Sequence, residues 1–187
     1  MSNETLVRCC APTMACLKTG NMFSCAFDSR KQMTEELRYL NQRLRKKGLR
    51  ILPLRWRDGK ALLYLYRPKL LERDLRDPLS RKLLLECGYT CENANDCLAR
   101  LISRLRTEED FPHEVGLFLG YPPADVDGFM HRKDECKLCG LWKSMTMCKA
   151  RSSSLPVAGA VRRCILTACP MGFRWRNWRL QDRIEIY

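Results

Sequence analysis

The spacing of apolar residues along the chain predicts a mixture of helices and short strands. Between residues 29 and 47 apolar side chains recur every three or four positions, from Met33 to Leu44, which is typical of an amphipathic helix. Ser29 can cap the start of this helix, and Gly48 follows it as a stop signal. We therefore expect one well-defined helix here, with its apolar face turned towards a core.

A β-hairpin is predicted directly after that helix, over about residues 49–66. Two runs of β-prone residues flank Asp58-Gly59, a dipeptide that tolerates the positive φ angles of a tight turn. The second run, residues 61–66, is apolar at consecutive positions. This pattern is typical of a strand that is covered on both faces, so we expect it at the centre of the sheet.

Proline and glycine residues bound the later helices that the pattern predicts. The clearest of them carries an apolar stripe from Cys97 to Leu105. The predicted ranges are residues 68–75, 78–86, 94–106 and, from a double proline, 122–130. Helices packed on a small sheet that contains a hairpin make the expected fold class α+β, in a single small domain.

The composition of the 187 residues, 45% hydrophobic and 29% charged, suits an ordinary globular domain. No apolar run approaches the roughly 18 residues needed to span a bilayer, and residues 1–8 lack the features of a signal peptide. We therefore expect a cytoplasmic protein with no membrane partner. In that compartment the twelve cysteines should be reduced, and most should pack as small apolar side chains.

The formal net charge of +13 raises the question of a nucleic-acid partner. Residues 144–187 carry eight Lys/Arg against two Asp/Glu, so much of the excess lies in the last quarter of the chain. A second basic segment holds Arg43, Arg45, Lys46, Lys47, Arg50, Arg55 and Arg57. These residues could bind phosphate groups. The alternative is a structural role, because cations are also favoured at a solvated helix C-terminus. Nucleic acid is therefore a candidate partner that the sequence does not favour.

Four segments of the chain resemble an uncharacterised bacterial family that is catalogued as a domain of unknown function and seen mainly in anaerobes. The longest of them, residues 111–122, contains Phe-Pro-His-Glu and runs into Leu-Gly-Tyr-Pro. The other three are residues 10–23, residues 65–68 and residues 139–143, and each would be weak by itself. The resemblance covers about residues 6–143.

The pattern changes after Lys143. Residues 144–187 show neither helical nor strand periodicity, and the continuation that the resemblance implies, Trp-Lys-Val-Tyr and an acidic residue, is missing in frame. A shifted codon can be formed from the third base of one codon and the first two bases of the next. Read in this way, Met145-Thr146 must give aspartate and Met147-Cys148 must give valine. We therefore expect a family domain over residues 1–143 and an out-of-frame, poorly ordered tail over residues 144–187.

The pair His113-Glu114 is the candidate catalytic feature. His113 could act as a general base or bind a metal, because the pKa of histidine lies near neutrality. Adjacent residues point in different directions on a helix or a strand, so the two are unlikely partners in one dyad. The alternative is ordinary helix-start chemistry, since Pro112 and an acidic residue both suit a first turn.

Two further sets of residues are candidate binding groups. Cys136 and Cys139 form a C-x-x-C pair, whose thiolates could bind one metal ion together with Cys10 and His113. Apart from such a thiolate-bound metal, the sequence identifies no cofactor. The segments that carry the resemblance also include Lys18, Tyr66 and Arg67, of which Lys18 and Arg67 could anchor an anionic ligand near His113.

The favoured interpretation is a ligand- or metal-binding accessory protein, with redox or metal metabolism as the suggested setting. Two alternatives stay open. One is a nucleic-acid-binding module that uses residues 43–60, and the other is an enzyme with His113 as general base. No phosphate-binding loop or nucleophile motif decides between them.

Overall fold

The computed structural model describes residues 3–90, 92–108 and 111–131. Within these ranges the chain forms seven helices and three strands. In order they are α1 Asn3–Met14, β1 Gly20–Ala26, α2 Arg30–Arg45, β2 Arg50–Arg57, β3 Lys60–Tyr66, α3 Pro68–Leu75, α4 Pro78–Glu86, α5 Ala94–Thr107, α6 Val115–Phe118 and α7 Pro123–His131. The expected α+β class is confirmed.

The three strands form an antiparallel sheet in the order β1-β3-β2. The hairpin between β2 and β3 turns at Asp58 and Gly59, whose φ angles are +48° and +70°. Two consecutive positive φ angles match the twist of a tight hairpin turn. Both the hairpin and the central place of β3 are confirmed.

Strand β3 is covered on both faces, and this divides the fold into three layers. Ala61, Leu63 and Leu65 pack in one apolar cluster with residues of α1 and α2. Tyr64 and Tyr66 point the other way, into a second cluster built with α3 to α7. The consecutive apolar positions of β3 therefore reflect one core on each side of the sheet.

Side-chain caps begin three of the helices where the sequence has a capping residue. The hydroxyl of Ser29 accepts from the backbone of α2, and the carboxylate of Asp77 accepts from two amides at the start of α4. Asn93 does the same for α5. These local interactions explain why the predicted and observed helix limits agree within about two residues.

Helix α1 is an element that the apolar pattern did not predict. It contains Pro12 in its last turn, and proline normally discourages a helical assignment. Two backbone hydrogen bonds form a turn directly after the helix. The amide of Leu17 donates to the carbonyl of Pro12 at 2.9 Å, and the amide of Cys16 donates to the carbonyl of Thr13 at 3.2 Å. The guanidinium of Arg67 also donates to the carbonyls of Thr13 and Met14, so a distant part of the chain stabilises the end of the helix.

None of the helices in the described part of the chain is long and apolar enough to cross a bilayer. The expected out-of-frame tail, residues 144–187, lies outside the described residues and stays a prediction.

Candidate functional site

A cleft of about 430 Å³ lies where loop 16–19 meets the helices of the second layer. Its wall combines the end of α3, the start of α4 and residues 117–123 around the end of α6. We call it the Lys18 cleft. Its polar and charged lining residues are Lys18, Thr19, Arg73, Asp74, Asp77, Ser80 and Tyr121.

The ammonium group of Lys18 is held at the cleft by Tyr121. Its Nζ atom donates to the Tyr121 hydroxyl at 3.2 Å and lies 4.5 Å from the centre of the same ring. An ammonium group carries three N–H donors. Lys18 can therefore keep its contact with Tyr121 and donate to a bound anion as well.

The opposite side of the cleft is organised around Asp74. Its Oδ2 atom accepts from the hydroxyl of the buried Thr19. Its Oδ1 atom accepts from Nε and Nη2 of Arg73 at 2.9 and 2.8 Å. This arrangement ties loop 16–19 to α3 and places a carboxylate and a guanidinium in the wall of the cleft.

Gly120 allows the two sides of the cleft to approach closely. Its φ angle is +76°, and a Cβ atom built at this position would lie 2.7 Å from Oγ1 of Thr19. Any larger residue would meet both backbone strain and a steric clash. The local shape of the cleft therefore depends on glycine at this position.

Two of the three predicted ligand-binding residues have other surroundings. The guanidinium of Arg67 donates to the carbonyls of Thr13 at 2.8 Å, Met14 at 2.7 Å and Lys47 at 3.1 Å, so it caps the end of α1 and the turn after α2. Tyr66 is buried and stacks on Tyr64 with ring centres 4.8 Å apart. Only Lys18 of this predicted set lines the cleft.

The predicted pair His113 and Glu114 is split between two environments. The ring of His113 packs edge-on against Phe129 of α7, with centroids 5.0 Å apart. The Glu114 carboxylate is buried and accepts from the hydroxyl of Tyr89 at 2.9 Å and from Nη1 of Arg104. Neither residue lines the Lys18 cleft, and their catalytic role stays a prediction.

Arg104 connects Glu114 to the surface of α5. Its guanidinium also pairs with Glu108, with Nε to Oε1 at 2.8 Å, and donates to the carbonyl of Cys87 at 3.3 Å. The bond to Glu108 raises the pKa of Arg104 and lowers the pKa of Glu108. Burial, together with the neighbouring charge of Glu114, raises the pKa of Tyr89 well above its ordinary value. The group is a connected, largely buried polar network.

The predicted metal ligands are not assembled in the described part of the chain. Cys10 is fully buried in the apolar cluster between the sheet and helices α1 and α2, whereas His113 contacts α7 on the other side of the sheet. Within the described residues no group of three or more histidine, cysteine or acidic side chains could hold a metal ion. Cys136 and Cys139 lie outside those residues.

The predicted basic segment runs from the end of α2 into β2. Arg43, Arg45, Lys46, Lys47, Arg50 and Arg57 are exposed, while Arg55 is half-buried. Arg55 donates to the carbonyl of Leu105 at 3.4 Å, and burial, followed by the charge of Arg57, lowers its pKa. Most of this segment is therefore accessible, and Arg55 is partly engaged in the fold.

Three important residues of the cleft were not singled out from the sequence. Thr19 and Tyr121 lie in segments that carry the family resemblance, which was the available signal. Asp74 lies among the many charges of α3, where nothing in the pattern distinguishes it. Its role becomes visible only when α3 packs beside loop 16–19.

A family model described as "Protein of unknown function (DUF3793)" matches residues 6–155 of the chain. The match includes all of the cleft and extends past Lys143. No curated protein and no solved structure matches the chain. The site must therefore be interpreted from its own geometry.

Proposed function

We propose that this chain, which belongs to the DUF3793 family, is a ligand-binding protein whose site is the Lys18 cleft. The expected ligand is a small organic anion with one anionic group and a hydrogen-bond donor at its other end. The observation that carries the proposal is that a lysine ammonium, fixed by Tyr121, lines a cleft large enough for a small molecule.

The position of Lys18 supports recognition of an anion. Its side chain is half-buried, and an ion pair is screened less by salt when it is partly shielded from water. The hydroxyl of Tyr121 and the face of its ring restrict where the ammonium can lie. Such preorganisation lowers the entropy lost when a ligand binds.

The charge balance of the cleft restricts the kind of anion. Two cations and two carboxylates line the cleft together, and Arg73 is paired with its neighbour Asp74. A ligand with several negative charges would be repelled by the two carboxylates, whereas a hydroxy acid or an amino acid could place its donor group near them. The cleft of about 430 Å³ also lies within the size range of small-molecule sites.

The proposal can be tested by thermal denaturation of the full chain with lactate, β-alanine and inorganic phosphate as probes. Sodium chloride at equal ionic strength provides the baseline. A probe present at 100 times its Kd stabilises a protein by about 2.7 kcal/mol, which corresponds to a rise in Tm of roughly 5–10 °C for a protein of this size. We expect a rise with lactate or β-alanine that exceeds the rise with phosphate.

Lys18→Gln tests whether the ammonium carries the effect. The matched control is Lys60→Gln, because Lys60 is an exposed lysine on the hairpin and does not line the cleft. The rise in Tm should disappear in Lys18→Gln and persist in Lys60→Gln. If no probe raises Tm above the chloride baseline, or if both variants respond equally, the proposed site is wrong.

A further inference from the structure

The two edge strands of the described sheet differ in composition. Strand β2 forms one edge and contains Pro53, a register irregularity between Pro53 and Arg55, and three arginines. Proline, irregular pairing and charged side chains are features with which natural sheets prevent their edges from pairing with another strand. Strand β1 forms the other edge and contains neither a charged residue nor a proline. Its composition therefore leaves β1 open to pairing.

The hydrogen bonds to β3 show which backbone groups of β1 point outwards. The amide of Arg67 donates to the carbonyl of Thr19 at 2.9 Å, and the amide of Phe27 donates to the carbonyl of Gly59 at 3.0 Å. Both bonds continue the antiparallel ladder between β1 and β3, in which bonded residues alternate along each strand. The odd-numbered residues of β1 therefore bond to β3.

The amides and carbonyls of the even-numbered residues form the outer edge of β1. These residues are Gly20, Met22, Ser24 and Ala26. Within the part of the chain that the structure describes, no backbone group of another strand or loop bonds to this edge. The outer edge of β1 therefore presents donors and acceptors for a further strand.

This edge is complementary to the same edge of a second copy. If two β1 strands run antiparallel with both Phe23 residues on a two-fold axis, Gly20 lies opposite Ala26 of the other copy and Met22 lies opposite Ser24. All four are outward-pointing residues, so each pair can exchange two hydrogen bonds, about eight in total. A shift by one residue would set outward groups against groups that already bond to β3.

The charges at the two ends of β1 favour the same arrangement. Lys18 lies shortly before the strand, and the exposed Asp28 lies shortly after it. In the register centred on Phe23, Lys18 of each copy lies opposite Asp28 of the other. Unlike charges at opposite positions stabilise a strand pair, whereas like charges destabilise it. The neutral strand is thus bounded by charges that match under two-fold symmetry.

We propose that two copies of this chain associate through the outer edges of their β1 strands and form one continuous sheet. The contact is isologous, because the same surface is used by both copies. The protected β2 strands then form both edges of the joined sheet, so association stops at the dimer. The dimer does not depend on a ligand in the Lys18 cleft.

Sedimentation equilibrium of the full chain over a hundredfold range of protein concentration measures this association. An ionic strength of about 0.15 M screens the repulsion between two basic chains, and we expect a monomer–dimer equilibrium. Ser24→Lys places a cation on the outer edge of both copies and should raise the Kd of the dimer at least about tenfold. The control Ser103→Lys adds the same charge at an exposed position of α5 and should change Kd less than twofold.

Asp28→Lys tests the register of the two strands. It places like charges opposite each other at both ends of the contact and should raise Kd by about threefold or more. The control Glu35→Lys makes the same charge reversal at an exposed position of α2 and should change Kd less than twofold. An equal response to both reversals would disprove the register centred on Phe23.

Hydrogen exchange of backbone amides identifies the surface that is used. The outward amides of Met22 and Ser24 should exchange more slowly at high protein concentration than at low concentration. A chain that stays monomeric at every concentration overturns the proposal, and so does a dimer without this protection, which would use another surface. Protection of the same amides in a monomer would show that a segment of the same chain covers the edge instead. Equal weakening by Ser24→Lys and Ser103→Lys would mean that net charge, rather than the edge, controls association.

Discussion

Replacement of Arg104 by methionine should lower the free energy of unfolding far more than replacement of its surface partner Glu108 by glutamine. The side chains of Arg104 and Glu114 are 19% and 3% exposed, whereas Glu108 is 41% exposed. Removing one partner of a buried ion pair leaves an uncompensated charge and costs about 3–5 kcal/mol. Removing one member of an exposed pair costs about 0–1 kcal/mol.

The assay is urea denaturation followed by circular dichroism, with the free energy of unfolding obtained by linear extrapolation. Globular domains are stable by only about 5–15 kcal/mol, so the loss expected in Arg104→Met is a large fraction of the total. The double variant Arg104→Met with Glu114→Gln should recover part of it, because a neutral amide can still accept from the hydroxyl of Tyr89 and no charge stays buried.

Two results would refute this reasoning. If Arg104→Met costs no more than Glu108→Gln, the pair with Glu114 contributes little to stability. If the double variant is no more stable than Arg104→Met, the loss comes from missing packing rather than from a buried charge. The first result would favour a functional role for Glu114 over a structural one.

Three further predictions follow from single features of the molecule. In urea denaturation, Gly120→Ala should lower the free energy of unfolding by about 2–5 kcal/mol, and the control Gly59→Ala by only about 1–2 kcal/mol. Both glycines have a positive φ angle, but only Gly120 has close neighbours where a Cβ atom would lie. Equal losses in the two variants would exclude crowding as the cause. Burial raises the pKa of Tyr64 and Tyr89 in the folded protein. Above about pH 10, the ordinary pKa of tyrosine, the unfolded chain therefore loses these protons first. The free energy of unfolding should then fall by up to about 1.4 kcal/mol per pH unit for each of the two tyrosines. If absorbance at 295 nm shows that every tyrosine ionises before the protein unfolds, the predicted pH dependence is wrong. Restoring one base near the codon of Lys143 should produce an open frame that reads Trp-Lys-Val-Tyr-Asp, whereas early stop codons would disprove the proposed frame change.

Local signals were sufficient for several elements of the fold. Helix α2 follows from its apolar period and from the cap at Ser29, and the hairpin follows from Asp58-Gly59. Each of these signals acts within a few residues of the chain. Helix α1 lacked such a signal, because Pro12 argues against a helix and the groups that cap its end, on Arg67, come from a distant part of the chain.

The candidate site was less predictable than the fold. Lys18 could be selected, because it lies in a segment that carries the family resemblance, but its partner Tyr121 is 103 positions away. The same resemblance points to Arg67 and Glu114, yet in the fold Arg67 caps backbone carbonyls and Glu114 pairs with Arg104. A polar residue that serves the fold and one that serves a ligand look alike in a sequence.

By itself, the sequence determined the α+β class, the central strand β3 and the family to which the chain belongs. The tertiary structure alone decided which polar residues share a cleft and which are used within the fold. The physical reason is the range of the interactions concerned. Turns, caps and apolar periods act between near neighbours, whereas the bonds from Thr19 to Asp74 and from Lys18 to Tyr121 exist only after the layers have packed.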